Sequence, residues 1–555
     1  MKAMNSDDSQ FAIRWYQLGL LLIVMVILAG CSSPVLTKVW LEPPGWTRGV
    51  LVASGVINEQ AALVVDDEGD AYIATFINSD PPEPHVWRFD PSGTLAWEIA
   101  IEDFETNFPS QPRLAWIPEG LALLWVDQGH LFQMVLDDQG VILEQPSVIS
   151  GDLEVDSYDI ERLHDGVTIW VGGGEDQPGI YAATENGSWS LVDPLGSRPD
   201  ASVDAQGNIH VAWGHIPANR VATEFVYGFY PQGQLAGGRY HVVLQPEFRT
   251  TDRIEGPRIA LTDDRVFIFW STEIKTGLQA GEIVSSYVNF YQGQQRHFIA
   301  GQRIVVPASA GLDYQYEPDD SFVTGPRLAW TPEGYGTTQI LQLTPNTSLT
   351  DQIALALRPR VSYRSQPQHS QIGVLYFDGA DYDSYQLLTT TQAASINPNL
   401  VSGTDGYLYL SWLEKSPSGE DVVYLASTSP EMRTTFNEVS SDDVKTMLSE
   451  TIFGLLSGMA FVPFVLIWLV PPMLLVALTS KLRRPEDGFT APRTLISLAI
   501  SLAGYWLIKL GMVPTMRSAV PLLVWIPVIP EGLHLILRIG IPVLIAVLAL
   551  FVAYR

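Results

Sequence analysis

The chain has 555 residues, 46% of them hydrophobic and 17% charged, with a formal net charge of -29 and a single cysteine. That composition excludes a disordered chain, a disulfide scaffold and a thiolate zinc site. The charge is uneven: residues 451–555 carry eight basic against three acidic groups and residues 1–31 balance, which leaves -34 on residues 32–450.

Leu18 to Gly30 is a run of 13 uncharged residues, shorter than the ~20 that a spanning helix needs and fitting a signal-peptide core. It ends in Leu28-Ala29-Gly30-Cys31, and the chain's one cysteine stands there. This resembles a bacterial lipobox, in which small residues let the chain lie extended in a peptidase groove and the thiol accepts a lipid. The resemblance implies a lipoprotein signal peptide over 1–31, lipidation at Cys31 and export of the domain beyond it. The alternative is an uncleaved signal anchor extending upstream through Phe11 to Tyr16, which exports the same domain.

Residues 32–58 read as a tether and ring entry, 59–440 as a ring of β-repeats, and 441–451 as a linker. Through the middle, short runs of Val, Ile, Leu, Phe, Tyr and Trp are cut by Asp, Gly, Asn and Pro, with no long 3.6-residue period. Pro112-Arg113-Leu114-Ala115-Trp116-Ile117-Pro118-Glu119-Gly120 returns almost verbatim as Pro326 to Gly334. Looser copies run from Pro199 to Trp213, Pro257 to Trp270 and Pro398 to Trp412. One unit divides into strands at 113–117, 121–126, 130–136 and 141–149, the size of a propeller blade. The expected fold is therefore an all-β propeller followed by an α-helical membrane domain. Aromatic strand ends at 76, 125, 170, 213, 270, 377 and 412, with Gln339 filling a gap, give eight candidate units; seven or eight blades are favoured and six remain open. Trp116, Trp125, Trp213, Trp270, Trp330 and Trp412 are expected to pack between blades.

Gly166 to Trp189 and Gly406 to Phe436 resemble the repeats of sialidase-like propellers, where an Asp-box turn follows the third strand. Thr184 to Trp189 and Ser427 to Phe436 are degenerate forms of that box. The resemblance implies the fold; a sialidase-type site would also need an arginine cluster, a tyrosine activated by a glutamate, and an acid. Arg113, Arg258 and Arg327 stand at equivalent positions and are candidate ligand-binding residues, or else partners of acids on adjacent blades. No nucleophile and acid pair is identifiable by spacing, so no catalytic residue is assigned. Asp66, Asp67 and Asp70 are weak metal candidates whose ordinary reading is hairpin chemistry. His130, His164, His210 and His215 lack metal-ligand spacing, and no cofactor motif appears.

Residues 452–479, 494–513 and 533–554 are apolar enough to span a bilayer as three helices, with 520–530 a possible fourth element. The basic loop from Lys481 to Arg493 belongs in the cytoplasm, which puts the ring outside. Lys509, His534 and Arg538 lie near span ends, where snorkelling satisfies them. The expectation is a membrane-tethered, extracytoplasmic binding or scaffolding module of the bacterial cell envelope, more in keeping with a non-enzyme. Its partners would be the membrane, through lipid and helices, and a protein or glycan ligand; a field of -34 disfavours nucleic acid. The alternatives are a sialidase-like glycoside hydrolase, or a sensor for another membrane protein.

Overall fold

The computed structural model describes residues 45–437, apart from 58, 79–80, 102–105, 164–165, 185–187, 218–222, 236–237, 245–251, 279, 294–298, 308–335, 338, 347–351, 362–368, 390, 392 and 416–419. Its strands form seven antiparallel sheets of four or more strands, each made of consecutive segments save one. Blade 2 is typical, with strands Ser110–Ile117, Gly120–Asp127, His130–Leu136 and Ile142–Val148, within three residues of the division read from the sequence. The first strands of the seven blades are Ala62–Val65, Ser110–Ile117, Val155–Leu163, Gly196–Val203, Arg253–Leu261, Ile340–Pro345 and Ala394–Ser402. Each touches the first strand of the next blade, and the last touches the first again, so these strands line the axis of a closed ring.

The exception in strand order closes the ring. Blade 7 takes its outer strand, Val50–Gly55, from the beginning of the domain, and that strand pairs antiparallel with Asp421–Ser427. After Ser427 the chain does not make an Asp-box turn but enters a short helix, Pro430–Phe436. The fourth strand is already supplied from elsewhere, so no hairpin is required there.

The blade number is seven because Gln339 and Phe377 belong to one blade. Its strands are Ile340–Pro345, Gln352–Val361, Gly373–Asp378 and Asp381–Leu387, so Phe377 lies in the third strand and Gln339 just before the first. Elsewhere the recurring aromatic closes the second strand: Phe76, Trp125, Trp170, Trp213, Trp270 and Trp412 all sit there. These six side chains are at most 5% exposed. Trp116 is partly buried and meets Tyr72 of blade 1 edge-on at 5.1 Å, whereas Trp330 lies outside the described residues.

Blades have two apolar faces, and only neighbours can cover them. Among the described residues the core accordingly divides into seven clusters, one at each junction between blades. Between blades 1 and 2, for example, Tyr72, Phe76 and Val86 meet Leu121, Trp125 and Met134. No helix of the described residues is long and apolar enough to cross a membrane. The three expected spans and Cys31 lie outside the described residues.

Candidate functional site

The recurrent proline of the sequence marks a device of the innermost strands. Pairing between first and second strands slips at Gln111, Arg198, Gly256, Gln342 and Asn397, in blades 2, 4, 5, 6 and 7. All five have positive φ, between 53° and 103°. In four of them the next residue is Pro112, Pro199, Pro257 or Pro398. A bulged residue leaves the ladder, so the missing N–H of proline costs no pairing there.

These bulges join the blades around the axis. The Glu59 carboxylate accepts the backbone N–H of Gln111. Gln111 Nε2 donates to Asp156 O at 2.9 Å and Arg198 to Ile254 O at 2.5 Å. The Gln342 backbone N–H donates to Glu255 at 3.2 Å, and Asn397 N donates to Gln342 Oε1 at 2.7 Å. Gln60 of blade 1 joins blade 7 by donating to Pro398 O, and only the junction of blades 3 and 4 has no such bond among those named.

Two residues beyond the bulge the strands of blades 2, 4 and 5 carry charge. Arg113 of blade 2 faces Asp159 of blade 3 at 3.7 Å, and Arg258 of blade 5 donates to Asp200 of blade 4 at 2.6 Å. Asp200 also accepts the Ile259 N–H at 2.7 Å, and Asp159 accepts that of Ala201 at 2.7 Å. Asp159, Asp200, Arg113 and Arg258 act on one another, and Glu161, two residues along the strand from Asp159, adds a third carboxyl. Burial, followed by the charge of Asp200, pushes the Asp159 carboxyl up to about 6 against the pull of Arg113. Burial, with Asp159 and Asp200 behind it, likewise raises Glu161. Two guanidiniums thus face three carboxyls, and burial favours the protonated form of Asp159 and Glu161.

Tyr158 stands beside this cluster with its hydroxyl donating to Gln111 O at 2.7 Å. Burial raises it well above the ordinary phenol value. A phenol so held is a donor and not an oxyanion.

Of the arginines expected to converge, Arg113 and Arg258 enter one cluster, each bound to an aspartate of the adjacent blade. Arg327 lies outside the described residues. Asp66 caps a hairpin: its Oδ1 accepts the backbone N–H groups of Glu68 and Asp70, both at 2.9 Å, and Tyr72 donates to its Oδ2. Asp70 is paired with Arg88, and Asp67 makes no hydrogen bond or ion pair among the described residues. His210 is buried between Tyr227 and Asp204, at 2.7 and 3.2 Å, and His215 binds Asp193 at 2.7 Å. His130 opens the third strand of blade 2, and His164 lies outside the described residues. Among the described residues, no group of three or more His, Cys, Asp or Glu is placed to hold a metal ion.

Asp159, Asp200 and Glu161 were not singled out from the sequence. The signal for Asp200 is present, since Pro199-Asp200 occupies the place of Pro112-Arg113, Pro257-Arg258 and Pro398-Asn399 in the repeat. Blade 3 has no such proline, and its inner strand gives Asp159 no marker.

No protein-family model and no curated protein matches this chain. Among solved structures, similar chains include a polysaccharide lyase, ulvan lyase, at 11% identity and TM-score 0.45, covering 72% of this chain and 99% of that one. An alpha-L-arabinanase from Penicillium chrysogenum is 13% identical with TM-score 0.32, covering 69% and 99%. The NanB sialidase from Streptococcus pneumoniae is 12% identical with TM-score 0.32, covering 68% and 69%.

Proposed function

We propose that this chain is a bacterial envelope protein whose seven-bladed ring serves as a binding or scaffolding module, held outside the cytoplasmic membrane by a lipid on Cys31 and by helices after residue 452. The observation that carries binding over hydrolysis is the state of the axial cluster. Its two arginines are already neutralised by aspartates of neighbouring blades, and its tyrosine is held as a hydrogen-bond donor. Neither is free to grip a substrate carboxylate or attack a glycoside. The tether is supported by the sole cysteine at a lipobox and by the three long apolar runs after residue 452.

The ring's own ends agree with a double attachment. Arg48 N donates to Asn437 Oδ1 at 3.0 Å and Asn437 Nδ2 to Trp46 O at 3.1 Å, so the segments that lead to both anchors leave from one place. Replacing Cys31 by Ala should abolish metabolic lipid labelling; persistent labelling would remove the lipoprotein claim. Purification of the intact protein should bring down a protein or glycan ligand without turnover of sialosides, ulvan or arabinan.

A second reading is a glycan-acting enzyme, and the raised Asp159 and Glu161 favour it, because a carboxyl whose burial favours the protonated form suits a general acid. Glycan cleavage by the protein that is lost in Asp159→Asn would establish this reading and displace the first.

A further inference from the structure

The connections where blade 3 passes into blade 4 display apolar side chains on a fixed backbone. Leu195 stands just before the inner strand of blade 4 and Ile216 just after its second strand. Gly196 and His215 pair between them, and Ile216 N donates to Leu195 O at 3.2 Å. Leu195 is 43% exposed and Ile216 51%, with Pro194 also exposed. A methyl group on Gly179 would stand 3.0 Å from Leu191 Cδ1 and 3.1 Å from Pro194 Cα, so Leu191, itself 54% exposed, continues the same patch.

Acids of blades 2 and 3 hold these connections in place. Asp193 is buried; it accepts the Leu195 N–H at 3.0 Å and the Trp213 indole N–H at 2.7 Å, and lies 2.7 Å from His215 Nδ1. The turn between the second and third strands of blade 3 is pinned by Glu154. Its carbonyl accepts the Gly174 N–H at 3.0 Å and its carboxylate that of Asp176 at 3.1 Å, while Gly173 N donates to Gly179 O at 2.8 Å. A backbone fixed in advance loses little freedom when a partner arrives, so apolar side chains held on it are suited to docking.

The same turn supplies charge. Glu175 and Asp176 are exposed and enter no ion pair among the described residues. Residues 174–179, 190–195 and 214–217 include no lysine or arginine, and Arg198, the next basic residue along the chain, is turned to Ile254 O of blade 5. A second copy of the chain, or an anionic lipid surface, would bring negative charge against these acids. We propose that Leu191, Leu195 and Ile216, with Glu175 and Asp176 at the rim, dock a segment of a partner polypeptide that carries apolar and basic side chains together. The proposal rests on the reading of the ring as a binding module, and it uses none of the axial residues.

The experiment measures binding of the full-length protein, in nanodiscs of neutral phosphatidylcholine, to fluorescent synthetic peptides, with empty nanodiscs as the blank. One peptide alternates leucine with lysine, a second leucine with glutamate, and a third serine with lysine. Only the first should bind saturably, and its affinity should fall steeply between about 0.05 and about 0.5 M salt. Leu195→Ser and Ile216→Ser should each weaken it about tenfold, the loss of one apolar side chain from an interface. Both side chains are exposed, so the melting temperature should not move. The double variant Glu175→Gln, Asp176→Asn should flatten the salt dependence. Leu51→Ser, exposed on the outer strand of blade 7, should bind as the parent does. Equal binding by the parent and both serine variants, equal binding of the glutamate peptide, or no binding of any peptide would overturn the proposal. So would self-association of the parent that Leu195→Ser abolishes, because a second copy would then occupy the patch. Failure here leaves the binding reading of the ring intact, since that reading rests on the axial cluster and falls only to glycan cleavage that depends on Asp159.

Discussion

Asp159 and Asp200 stand on neighbouring inner strands, yet their partners differ. Asp200 holds both Arg258 and the Ile259 N–H, so Asp200→Ala strips a guanidinium and a backbone donor together and should cost about 3 kcal/mol in urea unfolding at neutral pH. Asp159 has a weaker arginine, 3.7 Å away, and its folded value of about 6 lies above the unfolded one of about 3.9. The folded state therefore binds the proton more tightly, and this group's contribution to stability falls as pH rises from about 4 to about 6 and stays low above that. Asparagine keeps an acceptor for Ala201 and removes the charge. Asp159→Asn should accordingly flatten that slope and gain on the order of 2 kcal/mol at pH 7.5, with little change at pH 4. An asparagine variant less stable than the parent at pH 7.5 would show that the Arg113 contact outweighs burial. The two residues also differ in how far a sequence reveals them. Asp200 follows a repeated proline and was open to alignment, whereas the role of Asp159 depends on a neighbouring blade 42 residues along, a distance at which no local pattern speaks.

Hairpins and bulges, the elements that repeat, were legible to different degrees. Four turns obey one rule: Asp66, Asp90, Asp137 and Asp204 each use Oδ1 to accept the N–H groups two and four residues on. That chemistry is local, so Asp-x-x-Gly marks each of these turns in the sequence. Glycine in them serves backbone conformation, and its cost can be separated from packing. Gly207 has φ +77° and nothing within 4 Å of the place a methyl group would occupy, so Gly207→Ala should cost only about 1 kcal/mol. Gly120, at φ +153°, would place that methyl 2.3 Å from the Leu136 carbonyl oxygen, which is fixed in the ladder. Gly120→Ala should therefore cost about 3 kcal/mol or more, and equal losses in chemical denaturation would refute this division. The bulges were visible only as prolines, because a positive φ at glutamine or asparagine has no sequence signature. The blade count failed for a related reason. Blade 6 lacks the closing aromatic in its second strand, where Leu357 is buried instead, so Phe377 of the third strand was counted as a unit of its own.

At the scale of the whole molecule the ring depends on one borrowed strand. Val50–Gly55 is distant in sequence from the strand it pairs with, and Thr47 fixes its approach: Thr47 N donates to Ser427 O at 2.8 Å and Ser427 N to Thr47 Oγ1 at 2.9 Å. Without it, blade 7 would keep three strands, and Val423 and Leu425 would face solvent along an unpaired edge. The strand's own pattern separates pairing from packing, since Val52 is 8% exposed within the cluster between blades 7 and 1, and Leu51 is 59% exposed on the outside. Leu51→Lys should thus be nearly neutral, within about 0.5 kcal/mol. Val52→Lys buries an unpaired ammonium and should cost about 3 kcal/mol or more. Deleting residues 46–55 from the full chain should go further and abolish the single cooperative transition in urea, with early proteolysis in blade 7 as the accompanying sign. A deleted chain that unfolds at the parent's midpoint would mean that the blades hold their circle without this latch. The dependence also joins fold to anchorage: because residues 46–48 and 437 are hydrogen-bonded together, tension on either proposed anchor falls first on the closing blade. Asn437→Ala, which cuts both of those bonds and buries nothing, should lower the midpoint slightly and leave cooperativity intact, whereas the strand deletion removes both.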